Sequence, residues 1–273
     1  FFFVLYWLHF LGALLSCHAS PFSCIGTMRL WSKDLSLPSD LCGRVVIVTG
    51  GTSGIGLSTV RRLAELQATV IVACRDTAKG HAVVQELKSK SKAPQPLDLR
   101  VMELQLNRLA SVRDFAAAFH ALDLPLHVLV NNAGLVHTSY LESADGLEEM
   151  FAVNHLGHFY LTLLLLDKLR ASAPARVVHV ASAVHNIAPP LDIAALWTHC
   201  DISGLKGTFQ YYGRSKLCNI LFSRELSRRL CAMGEAGVTS TALHPGAVNT
   251  NIGLEHTNRL VQMLIAPARL FMR

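Results

Sequence analysis

Tyr212 and Lys216 stand four residues apart, a spacing that puts both side chains on one face of a helix. A free phenol titrates near pH ~10. A neighbouring ammonium favours phenolate and lowers that value. Such a pair can exchange a proton with an oxygen whose charge changes during reaction. Ser182 can donate to the same oxygen and stabilise its developing charge. Asn154 is the fourth candidate, positioned to hold a water that links Lys216 to solvent. Taken alone, a Tyr-x-x-x-Lys pair is as well explained by a surface tyrosine and a solvated lysine.

The run Thr49-Gly50-Gly51-Thr52-Ser53-Gly54-Ile55-Gly56 raises the weight of the pair. It follows an apolar strand-like run and opens a helical pattern, the placement that lets a glycine-rich loop bind a pyrophosphate. Gly50 permits the tight turn, Gly54 lets backbone approach the phosphates, and Gly56 allows close helix–strand contact. The helix amides and dipole then face the anion, with Thr52 and Ser53 as hydroxyl donors. The second strand ends in Ala73-Cys74-Arg75-Asp76. An acid there would bind a ribose 2′-hydroxyl and mark NAD. Cys74 stands at that position and Arg75 follows, and a guanidinium suits a 2′-phosphate. NADP(H) is therefore the expected cofactor, with NAD(H) second. The competing reading of Arg75 is a surface pair with Asp76.

With a dinucleotide in place the chemistry becomes hydride transfer to or from a carbonyl or alcohol carbon. Lys216 then has a second task at the nicotinamide ribose. Asn131-Asn132-Ala133-Gly134 ends the fourth strand, at the carboxyl edge where ligands bind in such sheets. Asn131, Ala133 and Gly134 are its expected cofactor contacts. After the sixth strand, His244-Pro245-Gly246 offers a rigid wall for the nicotinamide. Pro245, Gly246, Val248 and Thr250 complete the expected cofactor set. The histidines and cysteines show no ligand spacing, so no metal is expected.

The elements that must carry these residues alternate. Strands are expected at Arg44–Thr49, Thr69–Ala73, Leu99–Leu104, Val128–Asn131, Ala175–Ala181 and Val238–Leu243, with helices at Gly54–Leu66, Lys79–Lys88 and Leu109–Leu122. The pattern is α/β, a doubly wound Rossmann-type parallel sheet between two helical layers. Leu156–Leu169 is leucine-rich but short, and reads as a buried or subunit-interface helix rather than a membrane span.

The 273 residues carry a formal charge of +6 and are 51% apolar. That size supports one large domain, and that apolar fraction argues against disorder. The modest, dispersed charge gives no footprint for nucleic acid. Seven cysteines, several in apolar runs, read as reduced and structural. Residues 1–27 form a hydrophobic segment whose apolar part is Phe1–Cys17. It suits a membrane anchor followed by Arg29 and Lys33, a signal-peptide core, or translation upstream of a start at Met28. Residues 28–42 read as a linker and 43–273 as the dinucleotide-binding domain.

Together these motifs resemble the short-chain dehydrogenase/reductase superfamily from about Gly43 to Thr250. The phrases ACRD, NNAG, VNHLGHF (Val153–Phe159), ARVVHVASAVH (Ala175–His185), YYGRSKLCNILFSREL (Tyr211–Leu226) and HPGAVNT (His244–Thr250) resemble its retinol dehydrogenase-like branch. The resemblance implies NADP(H) dependence, the tetrad Asn154, Ser182, Tyr212 and Lys216, and a lipophilic retinoid- or polyprenoid-like substrate. It further implies attachment to the endoplasmic reticulum membrane with the domain facing the cytosol, or a cytoplasmic protein if translation starts at Met28. A homo-oligomer is compatible with it. Two departures stand out. Gln105 occupies the place where the branch has an adenine-contacting Asp. The branch also continues through a substrate-covering helix and a last strand, of which Leu260–Phe271 would be only the beginning. The alternative function is a non-catalytic dinucleotide-binding scaffold or an inactive truncated form.

Overall fold

A computed structural model of the chain describes residues 40–93, 95–190 and 204–246, apart from the side chain of Leu205. The apolar segment Phe1–Cys17, most of the linker, Val248, Thr250 and Leu260–Phe271 lie outside the described residues.

Six short runs rich in β-branched residues form the strands, since such side chains fit a pleated surface. They are β1 (Val45–Thr49), β2 (Thr69–Cys74), β3 (Leu99–Glu103), β4 (Val128–Asn131), β5 (Ala175–Val180) and β6 (Val238–Leu243). All pair in parallel, in the order β3-β2-β1-β4-β5-β6. The order reverses between β1 and β4, and a crevice opens at such a switch point beyond the strand ends.

Successive strand residues point to opposite faces, and helices bury both. On one face Val46, Val48, Val70 and Val72 pack with Val60 and Leu63 of α1 (Gly54–Glu65) and Val84 and Leu87 of α2 (Thr77–Lys90). On the other, Val45, Ile47, Ile71 and Leu129 meet three helices. These are α3 (Leu109–Ala121), α4 (Gly157–Ala171) and α5 (Gly204–Ala232). Each fully buried Val or Ile contributes about 1.5–3 kcal/mol. The strands are thus fixed from both sides, and the loops at their carboxyl ends inherit that rigidity. The fold is the expected three-layer Rossmann type.

The leucine-rich run becomes α4. Leu161, Leu165 and Leu169, four apart, are fully buried against the sheet. Among the described residues no helix is long and apolar enough to cross a membrane. One feature has no counterpart in the sequence pattern. A π-helical turn, Ala152–Leu156, precedes α4, and π turns recur at functional sites.

Candidate active site

A cleft of about 710 Å³ runs along the carboxyl ends of the strands, from Arg75 to Tyr212. Its floor is the glycine loop. Gly50 has φ +65°, and a Cβ there would lie 2.9 Å from the Ala133 Cα. A Cβ on Gly56 would lie 2.2 Å from the Gly50 carbonyl oxygen and 2.6 Å from Asn132 Nδ2. The loop therefore needs glycine to pack against the Asn132–Gly134 turn. Ser53 is the N-cap of α1, yet its side chain makes no capping bond, so the first amides of the helix face the cleft. That geometry fits a pyrophosphate. Thr52, Ser53, Gly54 and Ile55 line this part, as do Ala133 and Gly134 opposite.

A hydrogen-bond chain braces the loop from behind. Thr49 Oγ1 accepts from the backbone N–H groups of Asn132 and Ala133, both at 2.9 Å, and contacts His158 Nε2 at 2.8 Å. His158 Nδ1 lies 3.2 Å from the Asn154 carbonyl oxygen. A carbonyl only accepts, so Nδ1 carries the proton and Nε2 accepts from the Thr49 hydroxyl. Burial pushes the His158 pKa down to about 3, which keeps the ring neutral. Asn132 Nδ2 donates to the Thr49 carbonyl at 2.8 Å.

Alternation separates the two asparagines. Asn132 lines the cleft, whereas Asn131 ends β4 inside the core, its Nδ2 donating to Thr162 Oγ1 at 2.9 Å and to His179 Nδ1 at 3.2 Å. Gln105 does not line the cleft either. Its Nε2 donates to Glu103 Oε1 at 2.7 Å.

At the end of β2, Arg75 is exposed and lines the cleft, joined by Lys79 from the first turn of α2. Asp76 caps that helix, its Oδ1 accepting from Lys79 N at 2.9 Å. Cys74 is buried, and burial first, then Asp76 and Glu103, push its thiol up. Glu149 lines the cleft nearby. A hydrogen bond with His137 Nε2 at 2.8 Å holds its carboxyl below the usual range, with the Arg75 charge acting in the same direction.

At the far end the predicted catalytic residues converge. Tyr212 and Lys216 sit on α5 and Ser182 at the end of β5, all three lining the cleft. The Ser182 side chain acts on the Tyr212 hydroxyl and pulls its pKa down against burial. Lys216 is 2% exposed, and its Nζ donates to the Val180 carbonyl at 2.9 Å. Asn154 sits in the π turn, fully buried. Its Oδ1 accepts from Leu135 N at 2.8 Å and its Nδ2 donates to Ser215 Oγ at 3.0 Å. Pro245 and Gly246 close the cleft beside Ser182.

The spacing suggests a phenol lowered by the ammonium, but burial pushes Tyr212 up to about 12, against the pull of Ser182. Burial also pushes Lys216 down to about 8. Both groups are desolvated, and desolvation disfavours each charged form. The ammonium lies toward the ring, 5.6 Å from its centroid, and donates a hydrogen bond to the Val180 carbonyl.

A six-stranded parallel sheet with a glycine-cradled cleft and a Ser–Tyr–Lys group defines a dinucleotide-dependent oxidoreductase class, and the comparisons agree. Residues 44–192 match the short chain dehydrogenase family, and the chain belongs to that family. Within it the chain falls in the retinol dehydrogenase-like branch. It is 45% identical to mouse retinol dehydrogenase 12 over 213 residues, 77% of this chain and 63% of that protein. It is 42% identical to human retinol dehydrogenase 11 over 217 residues, 78% of this chain and 63% of that protein. The chain thus spans somewhat under two thirds of the length of these relatives. Among solved structures, a protein from Mycobacterium paratuberculosis is 36% identical with a TM-score of 0.63, covering 79% of this chain and 73% of the other.

Sequence reasoning missed Asn132, Lys79 and His158. The doubled Asn carried the first signal, since only one of two adjacent strand-end residues can face a cleft. A histidine inside a leucine-rich run carried the last.

Proposed function

We propose that the chain is an NADP(H)-dependent oxidoreductase acting on a lipophilic alcohol or aldehyde of retinoid or polyprenoid type. The observation that carries the chemistry is the convergence of Ser182, Tyr212 and Lys216 on one end of the glycine-floored cleft. A nicotinamide dinucleotide, when bound, supplies or receives the hydride. The chain's residues handle the oxygen. In the reducing direction Ser182 donates to the carbonyl oxygen and stabilises its growing charge. As the carbon gains hydride and the C=O π bond opens, Tyr212 gives its proton to that oxygen. The resulting phenolate is reprotonated from solvent, with Lys216 as the nearby cation. A phenol held protonated by burial suits this donor role.

Gly50, Thr52, Ser53, Gly54, Ile55 and Gly56 are proposed to hold the pyrophosphate, and Ala133 and Gly134 the adjoining ribose. Pro245, Gly246, Val248 and Thr250 are proposed at the nicotinamide. The NADP(H) preference rests on Arg75, reinforced by Lys79. It is in keeping with the Pseudomonas aeruginosa RhlG/NADP complex, 29% identical at a TM-score of 0.60, covering 77% of this chain and 75% of the other. The lipophilic substrate rests on the retinol dehydrogenase relatives. Attachment to the endoplasmic reticulum membrane is proposed from the apolar composition of Phe1–Cys17. The test is reduction of all-trans-retinal with NADPH against NADH. Retinal turnover preferring NADPH supports the proposal. Turnover of small polar ketones with none of retinal overturns the substrate class.

A further inference from the structure

The peptide unit joining Ser182 to Ala183 is bonded at both ends by imidazoles from different elements. Its carbonyl oxygen lies 2.7 Å from His185 Nδ1, within the 3₁₀ turn Ala183–Ile187. Its N–H donates to His244 Nδ1 at 3.2 Å. His244 follows β6, whose Leu243 pairs with Val180 of β5. The edge strand therefore reaches the peptide that carries the serine. Ser182 Oγ has weak local support, a bond from Val184 N–H at 3.3 Å. Its aim at Tyr212 depends on how that backbone is held.

The partners dictate the protons. A carbonyl only accepts, so His185 carries a proton on Nδ1, in its neutral or its charged form. A peptide N–H only donates, so His244 must be bare at Nδ1 and carry its proton on Nε2. A protonated His244 would set a donor against a donor. The charged group that acts on His244 is His185 from the turn; Tyr212 and Lys216 of α5 line the same cleft. Partial burial, then the charge of His185, lower the His244 pKa below the ordinary imidazole value.

We propose that His185 and His244 are positioning residues that clamp the Ser182–Ala183 peptide, and that neutral His244 is required to aim the serine hydroxyl. The inference rests on the roles of Ser182 and Tyr212 proposed above.

The test uses the full chain, with His244→Ala and His244→Asn beside the wild type. NADPH-dependent retinal reduction is followed from about pH 5 to about pH 8, the range where imidazole titrates. Imidazole nitrogens are followed by ¹⁵N NMR, with His244→Asn assigning the resonance. Asn Oδ1 can stand where Nδ1 stood and does not titrate. His244→Ala is expected to lower kcat about 3- to 10-fold, the worth of one hydrogen bond. His244→Asn is expected to recover most of that loss and to flatten the acid side of the profile. The His244 resonance should report an Nε2–H tautomer at neutral pH. Wild-type kcat and pH profile in His244→Ala, or a proton on Nδ1 at neutral pH, would overturn the clamp. A wild type inactive on retinal would instead sink the proposed function, and the tautomer would still decide the clamp.

Discussion

Lys216 Nζ lies 5.6 Å from the centre of the Tyr212 ring and spends a hydrogen bond on the Val180 carbonyl. The helical turn that separates the two residues thus sets a buried cation over the ring of the phenol. Ser182 is the side chain that pulls the hydroxyl's pKa down, against burial. Proton donor and charge sit one turn apart on α5, with Ser182 brought in by β5, and each can be tested separately.

The burial of Lys216 has a pH signature. Its pKa falls to about 8 in the fold, against ~10.4 for a free lysine. Between those values the unfolded chain binds more protons than the folded one, so stability rises with pH. Lys216→Met removes this titration. In urea unfolding without nucleotide, the wild type should gain stability relative to Lys216→Met as pH is raised from about 8 to about 10. A constant difference across that window would show that the lysine is not desolvated.

Arg75 tests the cofactor preference. Arg75→Asp replaces a 2′-phosphate partner by a like charge. Hydrogen bonds to charged groups contribute about 1.5–3 kcal/mol, so NADPH affinity should fall at least about 10-fold while NADH affinity holds or improves. Fluorescence titration of both nucleotides measures this. An unchanged NADPH/NADH ratio would remove Arg75 from the account and leave Lys79 as the cation to examine.

Gly56 tests the loop. A methyl group 2.2 Å from the Gly50 carbonyl oxygen meets backbone that cannot swing aside. Gly56→Ala should cost about 1–3 kcal/mol, as overpacking does, which lowers Tm by about 2–4 °C per kcal/mol in a domain of this size. Nucleotide affinity should fall with it. A variant with native Tm and native NADPH affinity would mean that the loop does not pack as described.

The architecture was readable because strands such as β1 and β2 are buried on both faces and so appear as short apolar runs, Val45–Val48 and Val70–Cys74. The Tyr212–Lys216 pair was readable because helical periodicity alone brings positions four apart together. Asn131 and Asn132 could not be ranked without knowing which side of β4 faces the cleft. Gln105 fell outside the cleft wall because Glu103, two residues back on the same side of the chain, takes its amide. The rise in the Tyr212 pKa without nucleotide was not readable, because spacing shows that a lysine is near but says nothing of how deeply both groups are desolvated. The π turn at Asn154 leaves no mark on the residue pattern, and the bond from Ala183 N–H to His244 joins segments 61 residues apart.

The most direct measurement is retinal reduction at saturating NADPH by the wild type and by Tyr212→Phe, which removes one oxygen atom and leaves the ring packing. A general acid contributes about 10²–10⁴-fold, so kcat should fall by that range while NADPH affinity and Tm stay near wild type. A Tyr212→Phe protein that turns over retinal at the wild-type rate would contradict the assignment of the proton donor.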